Sequence, residues 1–176
     1  MASFQFTQTK FNLAYISLAS WEADKMFDLS GQKFLAIAEG TKYRAYLDSV
    51  GVWTIGRGIT EYEDGTKVKR GDSVTVEREI TLFNNTIKKY VANVNKKVTS
   101  NVNQNQFNAL VSICYNIGIG GFNGSTLLKK VNKNPNDPTI RSAFASWKFG
   151  TVNGKKQVIK GLVNRRKSEA DLYFSK

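Results

Sequence analysis

The first clear periodicity in the chain is helical. Apolar side chains at positions 34, 35, 37 and 38 share one helix face, which predicts a short amphipathic helix over 31–39. Ser30 is placed to cap the start of this helix, and Gly40 is placed to end it in a left-handed conformation. Glu39 is therefore expected in the last turn.

The pattern changes after this helix. Between residues 43 and 60 the chain is rich in β-branched and aromatic residues separated by glycines, which is typical of short strands joined by tight turns. The Asp64-Gly65 dipeptide indicates a further hairpin turn. A small sheet lobe is predicted that ends near Asp72.

Downstream of this lobe the pattern is helical again. Thr75 is a predicted N-cap, and apolar residues recur every three or four positions over 80–94, which predicts a helix long enough to join two lobes. A second helix is predicted from Asn103, and the glycines between 118 and 124 predict a break. Three shorter helices are expected over 126–132, 139–148 and 162–174. The predicted fold class is α+β, with a small sheet lobe and a larger helical lobe.

Composition removes several classes of enzyme. The 176 residues contain no histidine and one cysteine, Cys114, which is expected to be a core residue. A Ser-His-Asp triad, a Cys-His pair and the common zinc sites are excluded, because each needs imidazole or several thiolates. No metal or cofactor is expected, and carboxylates are the expected source of any proton chemistry.

Positive charge is concentrated in the second half of the chain. Residues 1–79 hold 10 Lys and Arg and 11 Asp and Glu, a net of −1, whereas residues 80–176 hold 16 against 3, a net of +13. Such a half is expected to be attracted to a polyanion, which could be a cell envelope, a nucleic acid or a membrane surface. The alternative is a solvated surface that confers solubility.

Two of the 14 carboxylates stand out. Glu39 ends an apolar helix, and the partial negative charge of a helix C-terminus favours a protonated carboxyl group. Asp48 opens a polar turn near Thr54, where a carboxylate is expected to stay ionised. One retained proton and one base beside a cleft would suit glycoside hydrolysis; alternatively, Glu39 pairs with an arginine and Asp48 caps a turn. Several other carboxylates lie in settings that predict exposure, among them Glu77, Glu79 and Glu169.

Three segments resemble blocks of the phage-type lysozymes, glycoside hydrolase family 24. The first matches the family pattern of a glutamate, eight residues, an aspartate or cysteine, five residues and a threonine, with Glu39, Asp48 and Thr54. The others are similar to the family's central helix with its glycine-bearing turn and to its C-terminal segment. The three blocks are 38–60, 103–132 and 161–175. Because they keep the family's order, the resemblance implies a lysozyme-like fold.

The resemblance also implies an activity and its residues. It implies a hydrolase that cleaves the β-1,4 bond between N-acetylmuramic acid and N-acetylglucosamine in peptidoglycan. Glu39 would be the general acid, Asp48 the base or electrostatic partner, and Thr54 a residue that holds the attacking water. The family inverts, so the two carboxyl groups are expected about 6.5–9.5 Å apart. The substrate-binding residues implied are Tyr115, Asn116 and Arg166.

Some of these implications concern particular positions. Arg166 matches an arginine that lies beside the acid in the family. Many members have a histidine where this chain has Ile59, which we expect to tune the cleft wall without loss of activity. Residues 1–27 match nothing in the family pattern and are treated as an extension of unassigned role, and their apolar stretch 11–21 predicts a packed element in preference to a signal peptide.

The domain and its partners follow from the same resemblance. A catalytic domain is expected over 28–176, with lobes at about 40–72 and 73–176. We expect a monomer without a membrane span or nucleic-acid partner, made in the bacterial cytoplasm and acting on the cell wall from the periplasmic side. Its expected partners are peptidoglycan and anionic envelope polymers. The alternatives are a lytic transglycosylase, against which Asp48 and Thr54 argue, a basic nucleic-acid-binding module, or a silent wall-binding protein.

Overall fold

The computed structural model describes residues 24–48, 51–152 and 154–176, which contain six helices and four strands. In chain order these are α1 (Leu29–Glu39), β1 (Lys42–Leu47), β2 (Trp53–Gly56), α2 (Val76–Lys97), α3 (Gln104–Asn123), α4 (Thr126–Lys133), α5 (Ile140–Ala145), β3 (Phe149–Val152), β4 (Lys155–Val158) and α6 (Lys160–Tyr173). The α+β class predicted from the sequence is confirmed. The prediction for 11–21 lies outside the described residues.

Helix α1 begins two residues earlier than predicted because its cap is Asp28 and not Ser30. The Asp28 carboxylate accepts the Gly31 N–H at 3.0 Å, while the Ser30 hydroxyl donates to that same carboxylate at 2.8 Å. The helix ends at Gly40, whose φ of 67° is the predicted left-handed conformation. Glu39 is thus the last residue of the helix.

The sheet lobe is built on the antiparallel pair β1–β2, in which Tyr46 lies opposite Thr54. The predicted turn at Asp64-Gly65 is confirmed, because the Gly65 N–H donates to the Tyr62 carbonyl at 3.1 Å. The small core of this lobe is formed by Ile55, Ile59, Val68 and Leu82. Ile59 is therefore a core residue of the lobe.

Helix α2 joins the two lobes, as predicted. Thr75 caps it by accepting the Arg78 N–H at 3.1 Å. Its Leu82 packs in the core of the sheet lobe, whereas Phe83 and Ile87 pack in the core of the helical lobe. One helix therefore fixes the relative position of the lobes that flank the site.

Helix α3 is the centre of the helical lobe, and every residue from 106 to 114 is buried. Asn103 and Gln106 form the capping box that begins it, with both hydrogen bonds at 2.8 Å. The predicted break is a kink at Gly118, where φ is 81°, after which the helix continues to Asn123. Cys114 is buried in this core as predicted.

The helix predicted over 139–148 is present but shorter, because α5 spans Ile140–Ala145. Strands β3 and β4, Phe149–Val152 and Lys155–Val158, then pair antiparallel. The sequence carries a signal for this hairpin, an Asn-Gly dipeptide at 153–154 between short β-branched runs. No helix within the three described ranges is both long and apolar enough to cross a membrane.

Candidate active site

Glu39 lies between the two lobes at the C-terminal end of α1. Its Oε1 is 2.7 Å from Nη1 of Arg165 on α6, and its side chain is 17 % exposed. This contact is an ion pair whose angle does not suit a hydrogen bond. The Oε2 atom faces the loop after β2, because a Cβ placed at Gly58 would lie 3.9 Å from it. The carboxyl group thus has a cation on one side and the sheet lobe on the other.

The arginine in direct contact with the acid is Arg165, whereas Arg166, which the resemblance places beside the acid, interacts with Glu39 through its charge. Adjacent side chains on a helix point about 100° apart, so the two arginines face different neighbours. Arg166 is 1 % exposed, and its Nη2 donates to Oδ1 of Asn116 at 2.9 Å. Arg166 therefore contacts an exposed residue predicted to bind glycan, but its own side chain is closed to a glycan.

Asp48 and Thr54 lie at the end of the sheet lobe and share one anchor, Val52. Oδ1 of Asp48 accepts the Val52 N–H at 2.8 Å, and the Asp48 N–H donates to the Val52 carbonyl at 3.0 Å. The hydroxyl of Thr54 donates to the same carbonyl at 3.0 Å. Both side chains are therefore anchored to the backbone of Val52.

Tyr46 connects the two predicted catalytic carboxylates. Burial raises the pKa of Tyr46, and the charges of Glu39 and Asp48 both raise it further. Both carboxylates therefore act on the same phenol, and Tyr46 lies opposite Thr54 in the sheet. Thr54 itself is buried, with 3 % exposure.

Tyr115, on α3, bridges the lobes beside the acid. Its hydroxyl donates to the Arg57 carbonyl of the sheet lobe at 2.6 Å. Its ring meets Tyr90 and Phe83 edge to face, at centroid distances of 4.9 and 6.0 Å. Burial raises the pKa of Tyr115, and the charge of Glu39 raises it further, so the phenol keeps its proton.

A groove of about 390 Å³ lies at the junction of the lobes. The loop 58–63, one face of α2 and Tyr115 line it. Gly58 has a φ of 90°, a backbone conformation that favours glycine, and it faces both Glu39 and Tyr115. Since Gly58 and Tyr115 face the acid and also line the groove, the groove leads to Glu39.

Glu79 is buried, whereas its place at a helix N-terminus predicted exposure. It is 2 % exposed, and its two oxygens accept from Nε and Nη2 of Arg57 at 2.8 and 2.7 Å. The Arg57 guanidinium also lies 3.8 Å from the Phe83 ring centroid. Because Arg57 is 22 residues away, no local pattern predicts this pair.

Glu169 is also buried and not exposed as expected. Its Oε1 accepts from the Ser112 hydroxyl at 2.8 Å, Nε of Arg165 at 3.1 Å and Nη2 of Arg166 at 3.2 Å. Its Oε2 lies 2.9 Å from Nε of Arg166. Burial raises the pKa of Glu169, while the two guanidiniums and the hydroxyl oppose that rise. All these contacts come from donors, which suits an ionised carboxylate.

Metal-binding side chains do not cluster in the part of the chain that the structure describes: no group of three or more histidine, cysteine, aspartate or glutamate residues there could hold an ion. Trp53 packs on the sheet-lobe core and Trp147 on the helical core. The functional groups at this site are carboxylates, guanidiniums, phenols and hydroxyls.

Known proteins share this architecture. The model of the phage lysozyme family matches residues 36–169. The endolysin of Acyrthosiphon pisum secondary endosymbiont phage 1 is 36% identical over 138 residues, 78% of this chain and 90% of that protein. The solved endolysin of Escherichia coli phage FAHEc1 has a TM-score of 0.82 and 37% identity, covering 88% of this chain and 96% of its own. The muramidase domain of SpmX from Asticaccaulis excentricus has a TM-score of 0.76 and 31% identity, covering 86% and 99%.

Proposed function

Since the chain belongs to the phage lysozyme family, we propose that it hydrolyses bacterial peptidoglycan. The bond cleaved is the β-1,4 linkage between N-acetylmuramic acid and N-acetylglucosamine. The observation that carries the proposal is the placement of Glu39 between Arg165 and Gly58, a residue that lines the groove at the junction of the lobes. Two carboxyl groups beside one cleft are what glycoside hydrolysis requires.

Glu39 acts as the general acid. It donates its proton to the glycosidic oxygen as the bond from that oxygen to the anomeric carbon breaks. Loss of the proton leaves a carboxylate, and the Arg165 guanidinium at 2.7 Å stabilises this charge. Arg165 therefore favours the state of the acid that forms during the reaction.

Asp48 and Thr54 supply the water. A water molecule attacks the anomeric carbon from the face opposite the leaving oxygen and gives a proton to Asp48. The Thr54 hydroxyl hydrogen is used by the Val52 carbonyl, so its oxygen is oriented to accept from that water. This displacement inverts the anomeric carbon and needs about 6.5–9.5 Å between the two carboxyl groups.

The helical lobe supplies the glycan contacts. Asn116 is exposed, and with its Oδ1 bound to Arg166 the amide N–H groups are left to meet sugar oxygens. Tyr115 is fixed by its bond to the Arg57 carbonyl and contributes one wall of the groove. Arg166 acts on the glycan through Asn116 alone.

The basic half of the chain guides the protein to its substrate. A net charge of +13 over 80–176 attracts anionic polymers of the bacterial envelope and raises the encounter rate. We infer that the protein is a monomer made in the bacterial cytoplasm that acts on the wall from the periplasmic side. The SAR-endolysin of Enterobacteria phage P21, 33% identical over 134 residues, supports that route.

Glu39→Gln tests the assignment of the acid. Glutamine keeps the shape of the side chain but has no proton to donate, so clearing of a purified peptidoglycan suspension is expected to slow by about 10² to 10⁴. The matched control is Glu77→Gln, an exposed glutamate at the start of α2, which is expected to clear the suspension at the wild-type rate. If folded Glu39→Gln clears the suspension at the wild-type rate, the mechanism is rejected. If wild type itself releases no fragments, a silent wall-binding protein is favoured.

A further inference from the structure

The Arg165 side chain touches two carboxylates with different atoms of one guanidinium. Its Nε donates to Glu169 at 3.1 Å, while its Nη1 lies 2.7 Å from Glu39. The guanidinium is planar and rigid, so fixing one edge fixes the direction of the others. The arginine side chain is 9 % exposed, and Glu169 is fully buried.

We propose that Glu169 is a positioning residue for the general acid, holding Arg165 in the orientation in which it meets Glu39. The inference rests on the proposed lysozyme activity. Glu169 suits this role because it is itself held from the core: Ser112, in the buried part of α3, donates to it at 2.8 Å. The orientation of the acid's partner is thereby tied to the most rigid helix of the lobe.

The same carboxylate also orients the predicted glycan contact. Glu169 binds Arg166 through both of its oxygens, and Arg166 donates to Oδ1 of Asn116 at 2.9 Å. One buried side chain therefore holds two arginines. One of them contacts the proposed acid, and the other contacts the predicted glycan-binding residue. Loss of Glu169 is expected to affect both the turnover rate and the KM for wall fragments.

The charges around the acid balance when all four groups are counted. Arg165 and Arg166 carry two positive charges, and Glu39 and Glu169 carry two negative charges when ionised. The other titratable groups that interact with Glu39 come from the remaining elements around it: Tyr46 on β1, Tyr90 on α2 and Tyr115 on α3, with Asp48 acting on Tyr46.

Glu169→Gln tests the proposal through a pH profile. Glutamine keeps the length of the side chain but removes its charge. We expect the rate per folded molecule to fall about tenfold or more, because the partner of the acid is no longer held in place. We also expect the alkaline limb of the pH–rate profile to move about one unit higher, because the guanidinium that favours the ionised acid is no longer held beside it. A folded variant with the wild-type rate and limb would overturn the proposal.

Asp171→Asn is the matched control on the same helix. Asp171 lies two residues further along α6, and its side chain is 48 % exposed and pairs with Arg141 and Lys167. Neutralising it removes the same charge from the same helix, but solvent screens that charge. The limb is expected to stay in place for this variant, and an equal movement would mean that a general disturbance of α6, and not the hold on Arg165, is responsible.

Glu169→Asp keeps the test open if the glutamine variant does not fold. Aspartate keeps the charge but withdraws the carboxylate from Arg165, so the rate per folded molecule is expected to fall several-fold and the limb to move in the same direction as for Glu169→Gln. Folded molecules working at the wild-type rate would reject a positioning role. If wild type itself releases no wall fragments, the proposed activity fails, which is a separate outcome from an unchanged variant of an active enzyme.

Discussion

Glu79 and Glu169 are both buried carboxylates bound by arginine, but their surroundings differ in charge. The junction pair, Arg57 and Glu79, contains one positive and one negative side chain joined by two hydrogen bonds. The α6 cluster, formed by Arg165, Arg166 and Glu169, contains two positive side chains and one negative. The surplus positive charge of the α6 cluster is met by Glu39.

The difference shows which buried ion pairs bear on the reaction. In the junction pair one positive side chain neutralises one negative side chain, and the arginine also packs on the Phe83 ring. The pair therefore links the sheet lobe to α2. In the α6 cluster the numbers of positive and negative side chains are equal only when Glu39 is included. Burial of an ion pair alone therefore does not indicate a role in the reaction. A buried cluster with a net charge indicates that a further charged side chain lies next to it.

The largest predicted effect is on stability, at the junction pair. Arg57→Met leaves Glu79 buried without a counter-ion, and removing one partner of such a pair destabilises by about 3–5 kcal/mol. Urea unfolding measures this loss. The pH–rate limbs of the remaining folded enzyme are expected to match wild type. A loss below about 1 kcal/mol, or a moved limb, would remove the distinction between the two sites.

Ser112→Ala probes the α6 cluster from its core side. The substitution removes the hydroxyl that donates to Glu169 at 2.8 Å, and a hydrogen bond to a charged group contributes about 1.5–3 kcal/mol. The free energy of unfolding is expected to fall by that amount in urea. The exposed Ser175→Ala, whose hydroxyl donates to a backbone carbonyl near the C-terminus, serves as the control and is expected to change little.

Arg165→Met removes the guanidinium that Glu169 is proposed to hold, so its pH effect is expected in the same direction as that of Glu169→Gln. A nearby guanidinium favours the ionised acid, so its removal keeps Glu39 protonated to higher pH. The alkaline limb is expected to rise by about one unit, equivalent to about 1.4 kcal/mol. Movement of the limb in opposite directions for the two variants would show that Glu169 acts through its own charge and does not hold Arg165.

Salt is expected to have the smallest effect and to separate buried from exposed charge. Screening shortens the range of electrostatic attraction from about 10 Å at 0.1 M to about 3 Å at 1 M salt. The rate of wall clearing is therefore expected to fall several-fold, while the limbs of the pH profile stay in place because the α6 cluster is buried. A clearing rate unaffected by salt would reject the attraction by the basic half and would leave the catalytic assignment unchanged.

The sequence predicts the parts of this site that depend on local order. The spacing of apolar residues before Gly40 places Glu39 at a helix end, and the side chains of Thr75 and Asn103 mark helix starts that are confirmed. The family pattern adds Asp48 and Thr54, whose catalytic roles stay predictions. These features arise within a few residues, so a linear pattern contains them.

What the sequence does not predict depends on packing between distant segments. Glu169 meets Ser112 across 57 positions, and Glu79 meets Arg57 across 22, so their burial has no local signal. The choice of Arg165 as the partner of the acid depends on how α6 is rotated against α1. That rotation is set by the whole core and not by the arginine pair itself.

The most direct test of the account is the fate of solvent oxygen in the cleaved wall. Peptidoglycan digested by wild type in water enriched in oxygen-18 is expected to give reducing muramic acid ends that carry one heavy oxygen by mass spectrometry, with Glu39→Gln releasing about 10² to 10⁴ times fewer. Unlabelled anhydro-muramic ends would contradict the account, because the sugar's own hydroxyl would then have replaced the water that Asp48 and Thr54 are proposed to supply.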